Sequence, residues 1–196
     1  MEVGCALARG LCLELDVFVS RKLRYPGNPE FGMGTITETG FTWINTQVVK
    51  NAEYRQPPFQ DYLKQGMVIQ QQENARQQRQ YRQGKPLPSL SGRTVILVDD
   101  GVATGATFLA SLHSLRPLHP QRLAAAIPIA PQEAIETISS LVDECEILDT
   151  PHSFTSVGAA YQHFNQLNDA QVLEWLDHNR AARNVPHQYA GHEALS

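Results

Sequence analysis

The sequence predicts an α/β domain with a mainly parallel sheet flanked by helices and a small antiparallel β segment. Three features predict this class. An apolar run at Thr94–Val98 ends in two aspartates, helix-like and strand-like apolar runs alternate after it, and a Gly- and Thr-rich stretch at Gly32–Gln47 precedes it. The 196 residues, 42% of them hydrophobic, suit one domain with a single core.

The elements before the Thr94–Val98 run are predicted in chain order. The Ala- and Leu-rich stretch Val3–Leu13 predicts a helix, and the β-branched run Leu15–Val19 predicts a strand directly after it. Gly32–Gln47 predicts short antiparallel strands joined by turns. Val68–Gln83 is rich in Gln and Arg but has almost no apolar face, which predicts a solvated helix or a mobile loop.

The elements after residue 83 predict two βαβ units. Prolines and glycines in Gly84–Gly92 interrupt any helix before the buried strand Thr94–Val98. Apolar residues at helical spacing then lead to the strand Leu123–Ile129, and together these predict a right-handed crossover. A second helix that begins at Pro131 leads to the strand Glu146–Leu148.

The C-terminal part predicts one last helix and a tail. Asn168, with Gln171 three residues on, has the spacing of a helix cap. Residues 180–196 have no periodicity, so we expect a mobile tail there and assign the domain to residues 1–179.

Composition narrows the possible partners and compartments. A net charge of −4 gives no global basic field, which argues against a nucleic-acid partner. The three cysteines form no CxxC pair, which favours a reducing, cytoplasmic compartment over a disulfide or zinc framework. No apolar run approaches the roughly 18 residues of a membrane helix. The histidines show no metal-binding spacing, and Tyr161 and Phe164 are interpreted as packing residues.

The strongest functional signal is Val95–Thr107, VILVDDGVATGAT, where a strand ends in two carboxylates and a turn of small residues opens the next helix. Ligands bind beyond the carboxyl ends of parallel strands, and a helix start offers free N–H groups to a phosphate. Asp99 and Asp100 can accept hydrogen bonds from a vicinal diol or hold a hydrated magnesium ion. A phosphate site beside a diol site predicts a ribose phosphate.

The small residues of this turn support the same interpretation. Gly101, Gly105 and Ala106 allow close approach of the backbone, and Thr104 and Thr107 offer hydroxyl donors. The turn lacks the Gly-Lys-Ser/Thr ending of the P-loop and the GxGxxG dinucleotide pattern. A purely structural turn with an acidic helix start accounts for one carboxylate and the glycines, but not for both aspartates with both threonines.

Over its whole length, this segment resembles the phosphoribosyl pyrophosphate motif of type I phosphoribosyltransferases. Arg21–Glu30 and Phe154–Phe164 are similar to a bacterial subgroup of that family. The resemblance implies a Rossmann-like fold and transfer of phosphoribosyl to an unidentified nitrogenous base, with magnesium pyrophosphate as the leaving group. It also implies that Asp99 and Asp100 hold the ribose hydroxyls and that a loop holds the 5′-phosphate, this loop being Ala103, Thr104, Gly105, Ala106 and Thr107.

The resemblance also suggests basic residues at the leaving group. The family places a lysine or arginine near the pyrophosphate at the position of Lys22, with Arg21 beside it, although a solvated strand end is the alternative. Arg79 falls where related enzymes carry a mobile loop that closes over the site, and Arg76, Tyr81 and Arg82 lie in the same segment. An exposed charged helix is the other interpretation.

Two departures from the family pattern shape the expected activity. Ala103 replaces an acidic residue of hypoxanthine-guanine enzymes, which argues against a six-oxopurine acceptor. A strand and a Pro-Arg-Gly-Gly pyrophosphate loop usually precede the first helix of the family, and neither is found before Val3–Leu13. We therefore expect weak or no turnover, with Met1 as an internal or misassigned start or the chain as a natural truncation.

Three functions stay open at this point. The chain is an active transferase, a non-catalytic phosphoribosyl-sensing regulator, or a truncated remnant. A regulator that binds nucleic acid needs a basic patch, and the candidate is Arg76–Lys85 together with Arg21, Lys22 and Arg24. Family members are commonly dimers, so the resemblance implies a homodimer.

Overall fold

The computed structural model describes residues 1–25, 28–45 and 57–183. Its helices and strands confirm the predicted α/β class. The helices are α1 (Glu2–Gly10), α2 (Pro57–Tyr81), α3 (Ala106–Leu115), α4 (Gln132–Ser139) and α5 (Asp169–Arg183). The strands are β1 (Ser20–Tyr25), β2 (Asn28–Thr37), β3 (Thr42–Ile44), β4 (Thr94–Val98), β5 (Arg122–Ile129) and β6 (Glu144–Asp149).

Three strands, in the order β4-β5-β6, form a parallel sheet, as the two predicted βαβ units require. Alternate β5 residues point into the main core, where α3 and α4 cover one face of the sheet. Within the described residues β4 pairs with β5 alone, and its other side borders a groove of about 410 Å³ that residues 13–18 also line. The main core consists of Val102, Phe108, Leu112, Leu115, Leu123, Ala125, Ile127, Ala130 and Ile138.

The second sheet is antiparallel, in the order β1-β2-β3, and its β2–β3 pair confirms the antiparallel strands predicted within Gly32–Gln47. The pairing of β1 with β2 begins outside that range and is not predicted by the sequence. Thr46 and Gln47 lie outside the described residues. A Cβ atom at Gly34 would lie 2.3 Å from the carbonyl oxygen of Trp43, so β2 and β3 can approach this closely only with glycine there.

The strand predicted at Leu15–Val19 is wrong. The chain runs through this segment without a strand partner among the described residues, and β1 begins only at Ser20. Lys22, predicted to follow a strand, therefore lies inside one. The cause is that side chains take the alternate N–H groups of the segment, with Leu15 bound by Asn179, Val17 by Asp16 and Val19 by Glu38.

The helix predicted at Val68–Gln83 is found within α2, but the prediction of a solvated face is wrong. The helix docks on the antiparallel sheet, where Phe59 and Leu63 near its start pack on Met33 and polar groups make the contacts further along. Arg82, directly after the helix, is only 5% exposed, and its Nε donates to Asp16 at 2.8 Å. Asn74 is buried, and its Nδ2 donates to the carbonyl oxygen of Ile36 at 3.3 Å. A search for apolar periodicity cannot detect a docking face made of hydrogen bonds and ion pairs.

The remaining differences concern element ends. Helix α1 stops at Gly10, three residues before the predicted end, and β6 extends beyond its predicted bounds on both sides. The predicted cap of α5 is confirmed, because the N–H groups and side chains of Asn168 and Gln171 bond reciprocally at 3.0 Å. The helix continues through residues 180–183 of the predicted tail, and residues 184–196 lie outside the described part.

No helix in the described ranges combines the length and apolarity that crossing a membrane requires.

Candidate functional site

A cavity of about 720 Å³ lies at the carboxyl end of β4 and takes in most of the predicted site. Because this sheet edge leads directly into the turn before α3, the acidic pair and the small-residue turn open into the same space. The predicted site residues that line the cavity are Lys22, Asp99, Asp100, Ala103, Thr104, Gly105, Ala106 and Thr107.

The turn before α3 has the geometry of an anion cradle. Gly105 precedes the helix with a φ of 76°, a conformation that favours glycine. Its carbonyl oxygen accepts from the Leu109 N–H at 2.7 Å, which closes the first turn. The N–H groups that open a helix have no intrahelical partner, and the helix dipole adds positive potential at that end. Here they border the cavity, where a phosphate can bind them.

A seam of hydroxyl groups, of which those of Thr35, Thr37, Ser111 and Ser114 are buried, fixes α3 against the antiparallel sheet. The Thr107 Oγ1 lies 3.4 Å from the Thr35 Oγ1 of β2. One turn further along, the Ser111 Oγ lies 3.3 Å from the Ser20 Oγ of β1. Ser114 continues the row to Thr37 and Thr39. The seam holds the helix start beside β1, the strand that carries Lys22.

The two aspartates differ in their surroundings. The Asp99 Oδ1 accepts from the Asp100 N–H at 2.9 Å, and burial together with the Asp100 carboxylate raises the pKa of Asp99 to about 7. Among the described residues no basic side chain bonds to either carboxylate. The two carboxylates therefore repel each other, and a bound cation or the hydroxyl donors of a ligand can offset that repulsion.

The basic residues predicted at the leaving group separate in space. Lys22 lines the cavity and forms no hydrogen bond or ion pair within the described chain. Arg21, the next residue on β1, is bound instead by α2, since its Nε donates to the Gln70 Oε1 at 2.7 Å. Arg79 is exposed and donates to the carbonyl oxygen of Ala75 at 3.2 Å. Among the described residues, the structure brings Lys22 to the cavity but not Arg21 or Arg79.

Comparison with known proteins is decisive at this point, because the model of the phosphoribosyl transferase domain matches residues 5–162. The chain belongs to the phosphoribosyl transferase family.

Similar proteins within and around the family show how much of the chain is shared. It is 34% identical over 177 residues to two Mycobacterium tuberculosis proteins, MT0597 and Rv0571c, each named "Putative phosphoribosyl transferase". The match takes in 90% of this chain but spans only 39% of the length of those relatives. Among solved structures, the crystal structure of TT1426 from Thermus thermophilus superposes on this one with a TM-score of 0.66, and the two sequences are 35% identical. The match covers 88% of this chain and 79% of TT1426.

Sequence reasoning missed one wall of this phosphoribosyl transferase cavity. Tyr161 and Phe164, interpreted as packing residues, both line it, and their ring centroids lie 5.4 Å apart. The Tyr161 hydroxyl donates to the backbone oxygen of Asp100. A signal for this wall was available, because the sequence around these rings belongs to the part of the chain that resembles the bacterial subgroup.

One glycine allows this wall to lie against the acids, and a second allows close packing within the wall. A Cβ atom at Gly101 would lie 2.6 Å from the Val157 Cγ1 and 2.8 Å from the Ile129 Cγ2. A Cβ atom at Gly158 would lie 3.0 Å from the Phe164 Cδ1. The turn after the acids therefore packs on the 157–167 wall at a distance that a side chain at position 101 would prevent, while Gly158 lets Phe164 pack closely within the wall.

The donor set at the acids suits a cation that brings its own ligands. In the described part of the chain, no three His, Cys, Asp or Glu side chains are placed to hold a metal ion. Within the described residues, Asp99 and Asp100 offer adjacent carboxylate oxygens to which no lysine or arginine side chain bonds. Magnesium keeps several waters and is commonly bound by one or two carboxylates plus phosphate oxygens, so these two residues fit it.

Proposed function

We propose that this chain binds phosphoribosyl pyrophosphate and transfers its phosphoribosyl group to a nitrogenous base, with release of pyrophosphate. One observation carries the proposal. The acidic pair, the anion cradle at the start of α3 and Lys22 share a single cavity. The ligand has the matching groups in sequence, namely a 5′-phosphate, a ribose diol and a pyrophosphate.

Each group of the ligand has a matching part of the cavity. The N–H groups at the start of α3 and the hydroxyls of Thr104 and Thr107 bind the 5′-phosphate. The carboxylates of Asp99 and Asp100 accept hydrogen bonds from the ribose hydroxyls. Lys22 lies on a neighbouring strand and supplies positive charge for the pyrophosphate.

The reaction breaks the bond between ribose C1 and the pyrophosphate oxygen and forms a bond from a base nitrogen to C1. Where that nitrogen carries a hydrogen, its proton passes to the departing pyrophosphate or to water. Positive charge grows on the ribose as the leaving group departs, and the carboxylates beside the diol stabilise that charge. Lys22 neutralises the negative charge on the pyrophosphate oxygens. The phosphate cradle holds the sugar in place while C1 moves toward the base.

Magnesium belongs to this proposal as a cofactor held by Asp99 and Asp100 through water or the ribose hydroxyls. When bound, it would offset the charge of the pyrophosphate. A cytoplasmic location and a homodimer are part of the same proposal. The three free cysteines, Cys5, Cys12 and Cys145, support a reducing compartment, and the family implies the dimer.

The assay for the transfer is base-dependent release of pyrophosphate in the presence of magnesium. We expect Lys22→Ala to lower the rate by about 100-fold or more, because no lysine then neutralises the negative charge that develops on the pyrophosphate. Lys64→Ala is the matched control, since Lys64 is exposed on α2 and does not line the cavity. A Lys22→Ala rate equal to that of the control would contradict the role of Lys22. Absence of base-dependent release by the wild type would contradict the transfer itself.

A further inference from the structure

Helix α2 has a solvent-facing side that is apolar at its middle and charged toward both ends. We call the exposed side of the helix between Asp61 and Arg76 the α2 face. We infer that the α2 face is the contact between two copies of the chain, whose α2 helices pair antiparallel about a two-fold axis between Val68 and Ile69. The inference rests on the homodimer of the proposed function, and it adds the surface through which the two copies bind.

The middle of the α2 face is apolar and open to solvent. Val68 and Ile69 are 52% and 59% exposed, and Tyr62, about two turns before Ile69, is 39% exposed. The opposite side of the helix is the docked one, since Asn74 is buried there and Leu63 packs on the antiparallel sheet. An apolar patch rimmed by polar residues is typical of a contact with another protein molecule.

The charged residues around this patch are arranged so that the face is complementary to itself. In an antiparallel pair with a two-fold axis, residues at equal distances on the two sides of the axis face each other. Lys64 then faces the partner's Glu73, and Asp61 faces the partner's Arg76. Opposite charges therefore meet at both ends of the contact, and the symmetry forms each pair twice.

The charges before the axis are free in the single chain. Within the described residues, the exposed side chains of Asp61 and Lys64 form no ion pair. Glu73 and Arg76 pair with each other at 2.7 Å, and Arg76 also pairs with Asp169 at 2.7 Å. Arg76 thus already has two carboxylate partners, so the contact of Lys64 with the partner's Glu73 is the stronger of the two intermolecular pairs.

The uncharged residues of the face fit the same register. Gln65 faces the partner's Gln72, and two amides can each donate a hydrogen bond to the other. Tyr62 faces the partner's Ala75, so a large ring lies beside a small side chain, as ridges and grooves require when helices pack.

The pairing leaves the cavity open, because none of the described residues of α2 lines it. Lys64→Ala therefore still serves as a control for turnover. Two helices form an interface at the small end of the range for specific complexes, so we expect a dissociation constant of about 1–100 μM.

The test measures association of the ligand-free full chain by sedimentation velocity, from about 1 to 500 μM and at low salt, where charge contacts are least screened. Lys64→Glu and Glu73→Lys each place like charges opposite one another, whereas a mixed dimer of these two variants has opposite charges at both sites. Val68→Glu places two carboxylates beside the axis. Gln71→Glu is the control, since Gln71 is exposed on α2 but lies more than a quarter turn from the middle of the α2 face. Thermal unfolding checks that each variant is folded.

We expect Lys64→Glu, Glu73→Lys and Val68→Glu each to weaken the wild-type dimer by about tenfold or more, and Gln71→Glu to leave it unchanged. The equimolar mixture of the two charge variants should return to within about threefold of the wild-type dissociation constant. A mixture that associates no better than its components, or a dimer unaffected by Val68→Glu, would overturn the inference.

A wild type that stays monomeric at the highest concentration would overturn both the inference and the homodimer of the proposed function. The transfer reaction stands or falls separately, because base-dependent release of pyrophosphate tests it without reference to association.

Discussion

Asp99 is the residue whose surroundings say most about the site. Its carboxyl is buried beside a second carboxylate, so the folded protein favours its protonated form. The pKa is higher in the folded chain than in the unfolded one, and the folded state therefore binds the extra proton between these two values. Stability from this group is present at low pH and is lost as pH rises toward about 7.

Asp99→Asn should therefore stabilise the ligand-free protein at pH 8. We expect a gain of about 1–2 kcal/mol, or roughly 2–8 °C in Tm, because the variant removes a buried charge beside Asp100. At pH 4 the gain should shrink, since wild-type Asp99 is then protonated. Thermal unfolding of both proteins across this pH range measures the effect. Equal Tm values at pH 8 would contradict the destabilisation that we assign to the buried Asp99 charge beside Asp100.

Gly105 is the second residue whose conformation serves the site. Its φ of 76° is strained for any residue with a side chain, so Gly105→Ala should lower the free energy of unfolding by about 1 kcal/mol. The variant should also weaken phosphate binding, because relief of the strain reorients the N–H groups at the start of α3. Gly92→Ala is a matched control, because Gly92 has a φ of 73° and open space around it. Gly105→Ala should lose somewhat more stability, because its Cβ atom would lie 3.3 Å from the Leu109 Cδ1, and only this variant should lose stabilisation by ribose 5-phosphate. Equal ligand responses would show that the turn does not bind phosphate.

Among the elements, α2 shows how a helix without an apolar stripe can still be fixed in place. Directly after its last turn, Arg82 lies among acceptors, where its Nη2 donates to the Val17 oxygen at 2.5 Å and to the Glu38 Oε2 at 3.1 Å. Burial raises the pKa of Glu38, and Arg82 opposes that rise. The same contacts hold the segment between α1 and β1, which the sequence pattern assigns to a strand.

Arg82→Ala should destabilise the protein by about 3–5 kcal/mol, because it leaves Glu38 and Asp16 without their buried partner. Arg79→Ala, on the same helix but exposed, should cost less than about 0.5 kcal/mol. Urea unfolding of both variants gives the comparison. Similar losses would mean that α2 is not anchored at Arg82. A loss of ligand binding in Arg79→Ala would support the lid role that the resemblance suggests for this segment.

For the whole molecule, the sequence predicts those elements and motifs whose residues lie close together in the chain. The βαβ units and the VILVDDGVATGAT turn are readable because their apolar spacing and small residues lie close together in the chain. The docking of Arg82 on Asp16 joins residues 66 apart, and the bond from Tyr161 to Asp100 joins residues 61 apart. Such polar contacts between distant segments leave no periodicity, so the polar face of α2 is visible only in the structure. The resemblance of Phe154–Phe164 to the bacterial subgroup marks the aromatic wall, but only the structure shows that it lines the cavity.

The most direct test of the ribose-phosphate site is a thermal shift of this chain with magnesium and phosphoribosyl pyrophosphate, beside an Asp99→Asn, Asp100→Asn variant. At about 100 times its dissociation constant, the ligand should stabilise the wild type by roughly 2.7 kcal/mol, or about 5–11 °C in Tm. The double variant should fold and lose most of that shift. No shift in a folded wild type, or an equal shift in the double variant, would contradict a site built on these two acids.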